Sequence, residues 1–144
     1  MDASFDACVD VRLPHSVRAP GLARDALAAL QARLTPDRYS DLRLLVSELV
    51  SNSVIHGTPG EAVHLRVGVK DDVAQVEVED PGTGFTVPAG PRHADDESGR
   101  GLVIVASLAD RWGVTSTRPT RVWFQMGLGP RGSPGLGVGM DQAP

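Results

Sequence analysis

Val63-His64-Leu65-Arg66-Val67-Gly68-Val69 and Val73-Ala74-Gln75-Val76-Glu77-Val78-Glu79-Asp80 alternate apolar and polar side chains on either side of Lys70-Asp71-Asp72. A period of two sends successive side chains to opposite faces of a strand. Two such runs joined by a short polar turn therefore predict an antiparallel hairpin with one apolar face and one wet face. An apolar sheet face has to be covered, so the chain is committed to a second layer.

Helical spacing supplies that layer. Thr35-Pro36-Asp37 reads as a cap, a first-turn proline and a first-turn acid, opening a helix that runs to about His56 before Gly57. Leu42, Leu45, Val46, Leu49 and Val50 recur at three and four residues and form its apolar face, while Asp41, Glu48, Asn52 and His56 follow another line. An earlier helix is predicted from about Pro20 to Leu34, with Leu22, Ala26, Ala29, Leu30 and Ala32 on its inner stripe. Cys8 to Leu13 reads as a first strand ended by Pro14-His15-Ser16, with Ser16 as a helix cap.

After the hairpin, residues 85 to 98 carry Pro88, Gly90, Pro91 and Asp95-Asp96-Glu97 with little apolar content, which predicts a mobile loop and a lid. Leu102 to Ala109 reads as a helix, and Trp112 to Thr117 with Arg121 to Leu128 as a closing hairpin around Arg118-Pro119-Thr120. This order of elements predicts an α+β fold, a two-layer sandwich whose antiparallel or mixed sheet is covered by helices on one face. Residues 8–128 form the domain, and the Gly- and Pro-rich stretch 129–144 is expected to be a disordered tail.

Charge and cysteine content narrow the function. A net charge of −4 offers no general attraction for nucleic acid or an anionic membrane, so no direct nucleic-acid partner is expected. Cys8 is the sole cysteine, which excludes an intrachain disulfide and a cysteine-cluster metal site. The acidic start Met1-Asp2-Ala3-Ser4-Phe5-Asp6 is unlike a signal peptide, and no apolar run approaches the roughly 20 residues of a bilayer span. A cytoplasmic setting without membrane contact follows as the expectation.

Chemistry concentrates in three stretches. Asp80-Pro81-Gly82-Thr83-Gly84-Phe85 follows the second strand of the hairpin and joins a carboxylate to a turn that admits a ligand close to backbone. Ionised, Asp80 only accepts hydrogen bonds and so suits an exocyclic amine such as that of adenine, with room left by Gly82 and Gly84. Glu48, Asn52 and His56 lie at four-residue spacing in a column on one helix face. The amide oxygen of Asn52 is a ligand type for Mg²⁺, and Glu48 is placed either as a general base or as a solvated helix carboxylate. His56 reads as a helix-end histidine or a ligand. Gly99-Arg100-Gly101 before a helix offers free N–H groups and the helix dipole to phosphate, with Arg100 as an added contact; the alternative is a helix start with two flexible residues. No GxxxxGK[ST] or GxGxxG stands at a strand-to-helix junction, so the site is neither a P-loop nor a Rossmann motif.

Together, Glu48-Leu49-Val50-Ser51-Asn52, Asp80-Pro81-Gly82-Thr83-Gly84 and Gly99-Arg100-Gly101-Leu102 resemble the N box and the two glycine boxes of Bergerat-fold ATPases and kinases, which include gyrase, histidine kinases and mismatch-repair ATPases. The resemblance spans roughly residues 8 to 128. Within that superfamily the short chain and the phrase from Gly101 to Val114 most resemble anti-sigma-factor serine kinases. The resemblance implies ATP and Mg²⁺ as cofactors, Asn52 on the metal, Glu48 as base, Asp80 on the adenine amine, and Gly82, Gly84, Gly99 and Gly101 as pocket walls. Thr120 falls where such proteins place a hydroxyl near the base; a plain hairpin threonine is the alternative. A sigma factor and an anti-sigma-factor antagonist are the implied partners, and a homodimer through residues 5–34 the implied assembly.

Three functions compete on this reading. The first is phosphorylation of a serine on the antagonist, with ATP as donor. The second is a binding module that senses nucleotide or ignores it, without phosphotransfer; the acids Asp95, Asp96 and Glu97 beside a triphosphate favour it, offset in part by Arg92 and Arg100. The third, an ATP hydrolase or a histidine-kinase fragment, is kept as a minor reading: no phosphorylatable helix pair is expected before the first predicted strand, which counts against the fragment, and no appended transducer domain is expected, which counts against the hydrolase.

Overall fold

The computed structural model describes residues 6–56, 60–80, 107–115 and 119–129. Strand β1 (Asp6–Leu13) is followed by helix α1 (Ala19–Ala26), a 3₁₀ segment (Leu27–Arg33) and helix α2 (Pro36–His56). Strands β2 (Val63–Lys70), β3 (Val73–Asp80), β4 (Arg111–Thr115) and β5 (Thr120–Gly127) complete the described elements. The five strands form one sheet in the order β1-β2-β3-β5-β4, and every neighbouring pair is antiparallel.

The predicted antiparallel hairpin forms, with Lys70 inside β2 and opposite Val73, so that the turn is two residues rather than the expected three. Its two turn residues, Asp71 and Asp72, have φ of 49° and 63°. Positive φ at both central positions matches the right-handed twist of the flanking strands, and Asp tolerates that conformation better than most side chains. One face of the sheet carries Val9 and Leu13, Val63, Leu65, Val67 and Val69, Ala74, Val76 and Val78, then Val122, Phe124 and Met126, all buried. This face meets the helices.

Leu42, Leu45, Val46, Leu49 and Val50 of α2 are all fully buried against it, as their spacing predicts. Each such side chain contributes roughly 1.5–3 kcal/mol by leaving water. The start of α2 is capped by Thr35, whose Oγ1 accepts from Arg38 N at 3.3 Å and whose carbonyl accepts from Tyr39 N at 2.9 Å. Two further bonds tie this end to the sheet: Thr35 N to Leu128 O at 3.5 Å and buried Arg38 Nε to Gly129 O at 3.0 Å. From Thr35 to Ser53 the helix advances about 27 Å, and β3 from Val73 to Asp80 about 24 Å. The helix therefore lies along the sheet from the Gly127 end to the Asp80 end.

Three further expectations are corrected. The helix expected over Pro20 to Leu34 divides at Ala26, where the pattern tightens into the 3₁₀ segment, and the Leu27 N–H is shared among the carbonyls of Ala23, Arg24 and Asp25. Leu27 and Leu30, both buried, stand three apart, a spacing that a 3.0-residue turn aligns on one line toward the core. The inner stripe is Ala19, Ala23, Leu27, Leu30 and Leu34, whereas Leu22, Ala29 and Ala32 are exposed. Ser16 closes a turn before α1, with its Oγ accepting from Arg18 N at 3.2 Å; the helix itself has no side-chain cap.

The third correction concerns the outer face of the sheet. There Glu77 is 3% exposed and Gln75 7%, so the face is far from uniformly wet. Arg66 Nη2 reaches Glu77 Oε1 at 2.5 Å, Arg121 Nε reaches the same oxygen at 3.3 Å, and Arg121 Nη2 donates to Glu79 Oε2 at 2.7 Å. Gln125 Nε2 donates to Gln75 Oε1 at 2.7 Å. Beside them Trp123 packs over Gly113, where a Cβ would stand 2.6 Å from the indole Nε1. Long side chains thus cover the centre of a face that alternation alone assigns to water. The predicted lid, most of the predicted helix from Leu102, the tip of the closing hairpin at 116–118 and the tail from 130 lie outside the described residues.

Candidate functional site

The apolar rows on the helix-covered face end in polar residues. Along β3 the row Ala74, Val76, Val78 continues to Asp80, and along β5 the row Met126, Phe124, Val122 continues to Thr120. Asp80 and Thr120 are register partners. Asp80 is 1% exposed and Thr120 fully buried, so this edge of the core is polar without being solvated.

Helix α2 supplies the facing wall. Its core line runs 42, 45, 46, 49, 50 and arrives at Ser53, fully buried, whose Oγ donates to Asp80 Oδ2 at 3.1 Å. Asn52, the residue before it, is 6% exposed. Glu48 lies one turn earlier and is half-buried. The structure thus brings the Asn52–Ser53 turn of α2 onto Asp80, beside Thr120, with Glu48 further back on the same helix. Gly82, Gly84, Gly99, Arg100 and Gly101 lie outside the described residues.

Ser53 and His15 were not singled out by sequence reasoning. Ser53 left a signal, being a hydroxyl where the apolar line of α2 calls for a hydrophobe. His15 left none. Its Nε2 lies 3.2 Å from the carbonyl oxygen of Ser53. A carbonyl only accepts, so Nε2 carries the proton in this contact. Ser53 is in the last turn of α2, where carbonyls have no partner within the helix, and the imidazole from the β1–α1 connection satisfies one of them. The segment after β1 thereby holds the turn that carries Asn52 and Ser53.

Chemically, the arrangement is a buried carboxylate that accepts from the Ser53 hydroxyl, with a second hydroxyl on its register partner Thr120 and a buried amide on Asn52, the residue before Ser53. A carboxylate has about four lone-pair sites, so a bond from Ser53 is compatible with one from a ligand N–H. Among the described residues no group of three or more His, Cys, Asp or Glu is arranged to hold a metal ion. Metal binding at Asn52 would accordingly rest on one protein oxygen together with ligand and water oxygens, as Mg²⁺ accepts. Among the described residues no helix is long and apolar enough to cross a membrane.

Comparison with known proteins agrees with this geometry. The family model described as histidine kinase-like ATPase domain matches residues 13–126, from the end of β1 to the end of β5. The chain is 31% identical to the serine-protein kinase RsbW of Bacillus velezensis over 81% of its own length and 82% of that protein. It is 30% identical to the serine-protein kinase RsbW of Bacillus subtilis over 71% and 74% of the two chains. A shorter match, 36% identical over 44% of this chain and 47% of the relative, is to an anti-sigma F factor of a Geobacillus species.

Proposed function

Since the chain belongs to the histidine kinase-like ATPase domain family, we propose that it is an anti-sigma factor that binds ATP at the Asp80 end of the sheet and phosphorylates a serine of an antagonist protein. One observation carries this reading: Asp80, Ser53, Thr120 and Asn52 form a buried polar end to an otherwise apolar interlayer. An ionised carboxylate only accepts hydrogen bonds, so Asp80 at this end matches the exocyclic amine of a base.

Asp80 accepts the exocyclic amine, and Thr120 lies beside it as a second hydrogen-bonding group for the base. Asn52 offers its amide oxygen to Mg²⁺. Gly82 and Gly84 border the base, and Gly99, Arg100 and Gly101 receive the phosphates. When bound, ATP supplies the transferable γ-phosphoryl group and Mg²⁺ offsets its charge. Glu48, half-buried one turn from Asn52, takes the proton of the attacking serine hydroxyl. The added phosphate charge on the antagonist would loosen its contact and leave this protein to hold its sigma factor. Similarity to two serine-protein kinases and to an anti-sigma F factor supports the assignment of both activities. A cytoplasmic setting and a homodimer through residues 5–34 belong to the same proposal.

The run Asp95-Asp96-Glu97 favours a second reading, a binding module without phosphotransfer. One experiment decides between them. The protein is incubated with γ-labelled ATP, Mg²⁺ and the antagonist protein that co-purifies with it. Label is expected on an antagonist serine, with labelling abolished and ATP binding retained in Glu48→Gln. ATP binding without label would establish the second reading, and full-rate labelling by Glu48→Gln would remove Glu48 from the base role.

A further inference from the structure

His15 has no part in the functional reading above, yet its side chain reaches from the β1–α1 connection to the end of α2 that carries Asn52. Its Nε2 donates to the Ser53 carbonyl at 3.2 Å across 38 residues of sequence. We propose that His15 is a positioning residue for the metal: it holds the turn of α2 that presents the Asn52 amide oxygen to Mg²⁺, and so sets how much the metal adds to ATP binding. The proposal rests on the reading of Asn52 as the protein ligand of Mg²⁺.

The last turn of a helix is its least constrained part, because its carbonyls have no N–H partners further along. In α2 that turn is gripped at Ser53, whose carbonyl accepts from His15 and whose hydroxyl donates to Asp80 Oδ2 at 3.1 Å. The two grips come from different strands, His15 from just beyond β1 and Asp80 from the end of β3. Together they fix the rotation of the turn about the helix axis, and with it the neighbouring Asn52, which is 6% exposed.

The imidazole is itself anchored. Leu13 before it and Ala19 after it are both buried in the core. Between them the connection is closed by hydrogen bonds from Ser16 N to Pro14 O at 2.9 Å, from Arg18 N to Ser16 Oγ at 3.2 Å and from Ala19 N to Ser16 O at 3.0 Å. Mg²⁺ demands near-ideal octahedral geometry at about 2.1 Å from each oxygen, so it is sensitive to a small displacement of its protein ligand. Groups that orient a ligand without touching the metal typically carry about tenfold to a hundredfold of its affinity.

The test reads the contribution of the metal apart from that of the nucleotide. Dissociation constants for ATP are measured by calorimetry on the full chain, with excess Mg²⁺ and with EDTA, for wild type, His15→Ala, His15→Gln, Asn52→Ala and the double variant His15→Ala/Asn52→Ala. Wild type is expected to bind ATP at least about tenfold more tightly with Mg²⁺ than with EDTA. His15→Ala should weaken binding with Mg²⁺ about tenfold while leaving binding in EDTA within about twofold. His15→Gln, whose amide nitrogen has the reach of Nε2 and still donates, should restore most of the ratio. Asn52→Ala should lose the ratio, and adding His15→Ala to it should lower the ratio no further, since the two residues act as one unit.

Equal losses with Mg²⁺ and with EDTA in His15→Ala would mean a structural role and overturn the proposal, as would an unchanged ratio. A further loss of the ratio in the double variant would overturn it too, because His15 would then act without Asn52. A wild type that binds ATP equally with and without Mg²⁺, or an Asn52→Ala variant that keeps the full ratio, would instead remove Asn52 from the metal, and the His15 proposal would fall with it. A wild type that binds no ATP would end the functional reading itself. Thermal melting of each variant accompanies the binding data, and the ratio of the two affinities within one variant is insensitive to a shared loss of folded protein.

Discussion

At Asp80 the chemistry turns on a single atom. The carboxylate is 1% exposed, and each of its oxygens can only accept while it is ionised. Asp80→Asn keeps the size and replaces one acceptor by an N–H₂ donor. Ser53 Oγ can rotate its own proton away and accept from that donor, whereas a ligand amine cannot. Ser53 therefore draws the amide nitrogen, and the ligand meets the weaker carbonyl acceptor with a changed orientation. We expect ATP affinity to fall by about tenfold to a hundredfold, the usual cost of losing a hydrogen bond to a charged partner, with the melting temperature little changed. Calorimetry with ATP on Asp80→Asn gives the answer, and unchanged affinity would return Asp80 to a turn residue with no part in base recognition. Asp80 was legible from sequence because a carboxylate at a strand end before Gly-x-Gly is unusual chemistry in a recognisable place. Ser53 was not, because its partner lies 27 residues away and nothing local marks which strand end comes to face it.

Among the elements, α2 does most to build the site, and it is held at two ends by different means. Its C-terminal turn meets Asp80 through Ser53, and its N-terminal turn is fixed by Thr35 and by Arg38 on Gly129 O. Removing the cap tests how far the ends are coupled. Thr35→Ala deletes the acceptor for Arg38 N and should cost about 1 kcal/mol of stability, read by urea denaturation. The backbone bond from Thr35 N to Leu128 O survives the change, and the core line of α2 is untouched. ATP affinity should therefore stay within about twofold, and a larger drop would show that the two ends of the helix move together. The helix was legible in full, cap included, because cap, first-turn proline and apolar spacing all agree. The segment before it was not. Its Ala-rich spacing around Leu27 and Leu30 satisfies 3.6 and 3.0 residues per turn about equally, and only contact with the sheet and α2 selects the tighter form.

For the molecule as a whole, the outer sheet face couples stability to pH. Burial alone would raise the Glu79 carboxyl, but the hydrogen bond from Arg121 and the charges of Arg121, Arg66 and His64 outweigh it and hold the group below its ordinary 4.5. The hydrogen bond from His64, at 2.5 Å, chiefly holds Asp10 below its ordinary 3.8; burial opposes it, and the charges of His64, Arg66 and Arg12 add to it. Both groups bind a proton more weakly in the folded chain than in the unfolded one. Their contribution to stability is therefore complete above the ordinary values and is lost as pH falls through the lowered ones. Alternation in β2 and β3 showed which residues share this face but not that Glu77 would be enclosed between Arg66 and Arg121, because that depends on cross-strand partners brought together by the whole sheet. The expected outcome is a melting temperature that is level from about pH 7 to about pH 5 on account of these groups and then falls toward about pH 3. Glu79→Gln removes one titrating member while keeping an acceptor for Arg121. Its melting temperature should lie below that of wild type near neutrality and converge on it as the solution is acidified through the region below 4.5, where wild-type Glu79 gains its proton. Melting curves for both proteins across that range, followed by far-ultraviolet circular dichroism, make the comparison. A gap that stays constant down to about pH 3 would mean that ionisation of Glu79 is not the source of the stabilisation.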